Sequence, residues 1–341
     1  MSRPRLLLVS LGAIGRRHLR NARTLSTQAE IAVLRRPQSV GTAPPDAADH
    51  LFTDIEEAAA FAPDLAIVSC PATERPAVAA RLFDAGAHLF LEKPVAASSD
   101  ALEPLTTRAA AEPGRVVRIG YDLRFTPILA AARHLIAEGS LGEVRLARAE
   151  VGQYLPDWRP QDDYRVAFSA RADLGGGAIL ELSHEIDLVL WLFGAPNGVT
   201  AVADRVGDLE IDVEDCATLA LDYVVPRRSV IVQMDFLQRA PRRRLLAIGS
   251  EATLEVDLIA ETALLQRPGA GPELVAPLVV DEQADGFLRQ FDALFAETLD
   301  GYRARYRLIA AGCRLDEAVL TLRVADAAKR SAAEARRVTL D

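Results

Sequence analysis

The sequence predicts an α/β chain in two parts: an N-terminal doubly wound parallel sheet, then an α+β domain built on a large, mainly antiparallel sheet. Three observations carry that reading. At 341 residues the chain is long enough for two domains, each able to bury a core. Its first third alternates short apolar runs with helical patterns, and the runs are apolar at successive positions, as in strands covered on both faces. Beyond Ala137 the rhythm changes to a succession of strands joined by short turns. The expected boundary separates residues 1–121 from residues 122–341.

Taken in order, the first part offers strands at Leu6–Val9, Ile31–Leu34, Leu65–Ser69, His88–Leu91 and Val116–Gly120. Helical patterns lie between them at Gly15–Thr24, Ile55–Phe61, Pro76–Ala85 and Asp100–Ala111. Arg3 and Arg5 followed by an apolar run imitate a secretion signal. No small-x-small cleavage site follows, and Arg16, Arg17 and His18 come soon after, so a buried first strand is expected. The second part opens with a helix at Pro127–Ala137 and a long strand at Val144–Tyr154, then a polar loop and one helix over Gly177–Phe193. Strand patterns follow at Val199–Val206, Val213–Val225, Ser229–Gln238, Arg244–Ile248, Thr253–Val256 and Thr262–Arg267. Helices at Gly286–Leu299 and Leu315–Arg336 close the chain.

Half the residues are hydrophobic and 26% are charged, which excludes a disordered or fibrous chain. A net charge of -9 gives no bulk attraction to nucleic acid or anionic membranes. No stretch reaches transmembrane length. Cys70, Cys216 and Cys313 lie far apart, form no metal-ligand cluster and read as reduced thiols of a cytoplasmic protein. Among 39 basic residues only Lys93 and Lys329 are lysine. In a chain that otherwise uses arginine, a retained lysine is a candidate for chemistry that needs an amine, because guanidinium stays protonated. For Lys329 chance retention is the simpler reading.

The first strand runs into Ser10-Leu-Gly12-Ala13-Ile14-Gly15, the strand–turn–helix context of a dinucleotide fingerprint. Gly12 lets the backbone approach a pyrophosphate, Gly15 lets the helix pack on the strand, and the helix N-terminus attracts phosphate. Ser10 stands where the first glycine is usual, which serves if its φ is negative. The second strand ends in Arg35-Arg36, where an acidic residue would select NAD. Two guanidiniums favour a 2′-phosphate, so NADP is expected ahead of NAD, against the plainer reading of a solvated strand end. Glu92-Lys93-Pro94 ends a later parallel strand, at the edge where such sheets bind ligands. An amine there can hydrogen-bond a substrate oxygen.

These motifs, with Gly120-Tyr-Asp-Leu-Arg-Phe125, Gly175-Gly-Gly177 through His184-Glu-Ile-Asp187, and Ala327-Ala-Lys-Arg-Ser-Ala332, resemble the Gfo/Idh/MocA family of NAD(P)-dependent oxidoreductases over nearly the whole chain. The resemblance implies a Rossmann domain and hydride transfer between nicotinamide and a carbinol carbon of a sugar, sugar acid or nucleotide sugar. It implies cofactor contacts from Ser10, Gly12, Ala13, Ile14, Gly15, Arg35, Arg36, Cys70, Pro71, Glu92, Lys93 and Asp122. It implies substrate contacts from Tyr121, Arg124 and Asp187, though Arg124 in an interdomain ion pair fits the residues as well. It also implies a homodimer or homotetramer through the second sheet.

The helix over Gly177–Phe193 is apolar nearly all round, so Glu181, His184 and Asp187 are polar groups on a buried element. On its own the pattern fits either a structural His–Asp bond or acid/base catalysis; the resemblance selects catalysis by His184, with Lys93 polarising the oxygen. One departure stands out. Inositol-dehydrogenase-like members carry an Asp where this chain has Leu180, and Glu181 lies about 100° round the helix. The combination is more similar to members acting on sugars or nucleotide sugars in bacterial surface-glycan biosynthesis. The loop before the glycines carries Trp158, Tyr164 and Arg165, residue types that stack on sugar rings and clamp anions. Two other outcomes fit the same motifs: oxidation–elimination or imine reduction with retained cofactor, and a non-enzymatic dinucleotide sensor.

Overall fold

The computed structural model describes residues 3–37, 47–278 and 284–340. The first half contains β1 (Arg5–Val9), α1 (Ala13–Leu25), β2 (Glu30–Leu34), β3 (His50–Phe52), α2 (Ile55–Ala60), β4 (Leu65–Val68), α3 (Arg75–Asp84), β5 (His88–Leu91), α4 (Glu103–Ala111) and β6 (Val117–Ile119). Next come α5 (Pro127–Ala137), β7 (Val144–Gly152), α6 (Ala178–Glu181), α7 (His184–Phe193), β8 (Gly198–Asp204), β9 (Cys216–Tyr223) and β10 (Arg228–Asp235). The chain continues through β11 (Arg242–Gly249), β12 (Thr253–Asp257), β13 (Thr262–Gln266), β14 (Glu273–Leu274), α8 (Gly286–Thr298), β15 (Cys313–Arg314), α9 (Leu315–Glu334) and β16 (Val338–Thr339).

Among the described residues these elements form two units. The first comprises Met1–Asp122 and Asp281–Ala318, the second Leu123–Val280 and Val319–Asp341. In the first, the strand order is β15-β6-β5-β4-β1-β2-β3, parallel except for the edge pair of β15 with β6. The order reverses at β1, so the carboxyl ends of β1 and β4 flank the crevice where ligands of such sheets bind.

The expected boundary assigned everything after residue 121 to the second domain. The structure returns 284–318 to the first unit, because that segment completes its core. Phe291, Leu294 and Phe295 of α8, with Leu299 just after it, pack with Leu6, Leu8, Leu19 and Phe90. Arg305 then donates to the carbonyls of Thr24 and Leu25, capping α1 at its C-terminus.

In the second unit the sheet order is β14-β13-β12-β11-β7-β10-β9-β8-β16. It is antiparallel apart from β7 with β10, which pair in parallel. One face is covered: α5 packs on β12 and β13, α6 on β9 and β10, and α7 on β7 and β10. The other face mixes half-buried and exposed side chains such as Leu146, Ile231, Leu246 and Ile248 with Arg148 and Glu150.

The helix expected over Gly177–Phe193 is broken. α6 ends at Glu181, Leu182 leaves helical geometry, and α7 begins at His184. Glu181 and His184 therefore lie on different helices and do not share a face.

Candidate active site

The turn after β1 leaves the N-terminus of α1 open. Gly12 is the N-cap of α1; no side chain caps it, and the first turn holds no acidic residue. A Cβ at Gly12 would meet nothing within 4 Å, whereas one at Gly15 would come against the Ser10 carbonyl and within 2.8 Å of Ser69 Oγ. The first position is open and the second is packed, and Gly12 and Ala13 are exposed. An uncapped helix N-terminus behind an open glycine fits a dinucleotide pyrophosphate. Ser10 departs from the expectation of negative φ, since its φ is 72°. The left-handed conformation is held by its N–H donating to Leu34 O and by Ser69 Oγ donating to its carbonyl.

At the end of β2, Arg35 donates its backbone N–H to Phe52 O. Arg36 is exposed and forms an ion pair with Glu74 at the start of α3. Of the two arginines expected to grip a 2′-phosphate, one thus already faces a carboxylate.

The exits of β4 and β5 are stitched together by Arg75, which sequence reasoning missed. Its buried guanidinium donates to Cys70 O at 2.6 Å, to Glu92 O at 2.6 Å and to Pro94 O. The Cys70 thiol is buried, and burial pushes its pKa up to about 11. The thiol is thus withdrawn from solvent, while the neighbouring Pro71 is half-buried.

Glu92 was expected as a cofactor contact, and the structure gives it another place. Its carboxylate is buried, with Oε1 2.6 Å from His18 Nε2 and Oε2 accepting the Lys93 N–H at 3.0 Å. Its backbone N–H and carbonyl are taken by Val68 and Arg75. Burial raises the carboxyl pKa, but the hydrogen bond with His18 and the charges of Arg75 and Lys93 outweigh it and hold the group below the ordinary carboxylate range. Lys93 itself is half-buried at the carboxyl edge of the sheet.

Tyr121, expected against substrate, is fully enclosed at 0% exposure and belongs to the core. Asp122 is half-buried, with its carbonyl close against Gly286.

In the second unit, Arg124 and Asp187 were expected to touch substrate. They form instead a two-point ion pair, Nη2 to Oδ1 at 2.6 Å and Nε to Oδ2 at 3.0 Å, with side-chain exposures of 3% and 1%. Both are buried because each satisfies the other. Glu185, also buried, is paired with Arg243 at 2.6 Å. Glu181 accepts from Ser169 Oγ at 3.1 Å, and Leu180 is fully buried, so no carboxylate takes the place that Leu180 occupies. His184 is half-buried as the first residue of α7.

In the loop, Trp158 packs edge-on against Phe236, with centroids 5.5 Å apart, and donates Nε1–H to Gln153 O. Tyr164 Oη accepts the Glu210 N–H. Arg165 is exposed and flanked by Asp163 and Glu210, which offset its charge for clamping an anion.

Residues 5–121 match the oxidoreductase family with an NAD-binding Rossmann fold, and residues 129–255 match the GFO/IDH/MocA C-terminal domain. The chain belongs to the Gfo/Idh/MocA oxidoreductase family. Among curated relatives, scyllo-inositol 2-dehydrogenase (NADP(+)) IolW of Bacillus subtilis is 31% identical over 166 residues, 47% of this chain and 43% of IolW. Levoglucosan dehydrogenase of Pseudarthrobacter phenanthrenivorans is 29% identical over 121 residues, 35% of this chain and 30% of that protein. These alignments span less than half the relatives' length. The whole fold matches the WlbA dehydrogenase of Bordetella pertussis, in complex with NADH and UDP-GlcNAcA. Its TM-score is 0.81 at 19% identity, with 100% of this chain and 99% of that one covered. Among the described residues, no helix of this family member is long and apolar enough to cross a membrane.

Proposed function

We propose that the chain is an NAD(P)-dependent oxidoreductase that moves a hydride between nicotinamide and a carbinol carbon of a sugar, sugar acid or nucleotide sugar. The observation that carries this reading is the pairing, on one edge of one parallel sheet, of an open, uncapped phosphate turn at Gly12 with a half-buried lysine at Lys93. The named activities of IolW and levoglucosan dehydrogenase support a polyol or sugar substrate. When bound, the dinucleotide supplies the redox chemistry. Gly12, Ala13 and Ile14 would hold its phosphates through backbone N–H groups, and Arg35 would favour NADP. Lys93 hydrogen-bonds the reacting oxygen and steadies the charge that develops on it. For His184 the proposed role is that of general acid/base.

The test is direct. Purified protein is offered NAD⁺ or NADP⁺ with inositols, free sugars, uronic acids and UDP-sugars, and reduced nicotinamide is followed by its near-ultraviolet absorbance. Turnover with a member of this panel is expected, and with a UDP-sugar if the surface-glycan likeness holds. Binding of neither dinucleotide would overturn the proposal.

We also propose that two or four copies assemble through the open face of the second sheet. Leu146 faces Ile248 and Arg148 faces Leu246 across β7 and β11, so half-buried and exposed apolar side chains recur along the face opposite α5, α6 and α7. Sedimentation of Leu246→Glu beside the parent decides this: a shift to monomer is expected, and an unchanged species contradicts it.

A further inference from the structure

The His18–Glu92 pair takes no part in the reaction proposed above, yet both groups are withdrawn from water. His18 lies in the second turn of α1, the helix whose first turn is assigned to the dinucleotide. Its imidazole is wholly buried, stacked on Phe291 with centroids 4.8 Å apart and edge-on to Phe90 at 5.5 Å. Among the described residues Nδ1 has no hydrogen-bond partner. The one polar contact of the ring is therefore Nε2 with Glu92 Oε1, at 2.6 Å.

Beyond Glu92 the chain is held at three successive points. Glu92 Oε2 accepts the Lys93 N–H, while Arg75 takes the carbonyls before and after Lys93, those of Glu92 and Pro94. Gly120 is fitted to the carboxylate: an added Cβ would come within 3.1–3.2 Å of its oxygens and carbon, tighter than ordinary contact. A buried charge needs such partners, and losing one leaves the rest to rearrange.

We propose that His18 and Glu92 are positioning residues: the imidazole fixes the carboxylate, and the carboxylate fixes the main chain from which Lys93 projects its amine. Helix α1 thereby ties the phosphate turn to the placement of the lysine. This rests on the reading that Lys93 meets the reacting oxygen, and it adds the device that holds it there.

The two lysines make a clean test. Reductive methylation with isotope-labelled formaldehyde marks only Lys93, Lys329 and the N-terminus for NMR. Lys329 reports whether the fold is intact. Gln places an N–H where His18 has Nε2, whereas Asn reaches only as far as Nδ1. His18→Gln is expected to keep the Lys93 signal at its parent position. His18→Asn is expected to shift it, with Lys329 unmoved and dinucleotide affinity within about twofold. Turnover should fall roughly 100-fold in His18→Asn, the scale of a misplaced catalytic group, and recover in His18→Gln. Glu92→Gln, which loses the charge but little volume, should move the Lys93 signal in the same way. A Lys93 signal unmoved in His18→Asn and Glu92→Gln overturns the proposal. Undiminished turnover in Lys93→Met is a different failure: it removes the role of the amine while the NMR comparison still reports on its placement.

Discussion

Arg124 and Asp187, separated by 63 residues in sequence, meet as a buried two-point ion pair with Nη2 2.6 Å from Oδ1. Asp187 lies on α7, three residues after His184, and Arg124 follows the end of the parallel sheet. The pair fixes the orientation of α7, and with it the start of the helix that carries His184.

Breaking this pair from one side leaves an uncompensated buried charge. Arg124→Met or Asp187→Asn is expected to cost about 3–5 kcal/mol of stability, read from urea unfolding. Replacing both by apolar residues should cost less than either change alone. Single variants as stable as the parent, with only substrate affinity reduced, would return both residues to a binding role.

The proposed preference for NADP rests on the end of β2. Arg36 is paired with Glu74, so in that proposal Arg35 is the principal group for a 2′-phosphate. Arg35→Asp should swing preference from NADP to NAD. Glu74→Gln releases Arg36 and should improve NADP⁺ affinity roughly two- to fivefold, the worth of an exposed pair. Fluorescence titration with both dinucleotides checks this; an NAD preference in the parent would reduce both arginines to surface charge.

Much of this was legible beforehand. β5 at His88–Leu91 and α5 at Pro127–Ala137 fall where the apolar pattern puts them, because each is a continuous buried run with a clear stop. β3, β14, β15 and β16 were not legible, since two or three residues at a sheet edge carry no periodicity. The break before His184 was hidden for the opposite reason: an unbroken apolar run looks the same through a turn. The glycine turn and Lys93 stand out by residue type. The partnerships of His18 with Glu92 and of Arg124 with Asp187 do not, because they join residues 74 and 63 apart whose pairing only the fold decides.

Glu92 also predicts a pH dependence. Its folded pKa lies below the ordinary value near 4.5, so it stabilises the fold fully above that value. The contribution is lost as pH falls from about 4.5 through the lower folded value. Thermal unfolding of Glu92→Gln against the parent should show a gap at neutral pH that closes only below about pH 4.5. A gap that closes between neutrality and pH 5 would contradict the charged, buried carboxylate.

The proposed part of Lys93 in hydride transfer at a carbinol carbon is tested by the turnover number of Lys93→Met. With dinucleotide affinity measured separately, the variant should bind as the parent does and turn over at least about 100-fold more slowly, the cost of removing a group that steadies developing charge. Turnover equal to the parent's, at equal affinity, would remove the Lys93 amine from the reaction.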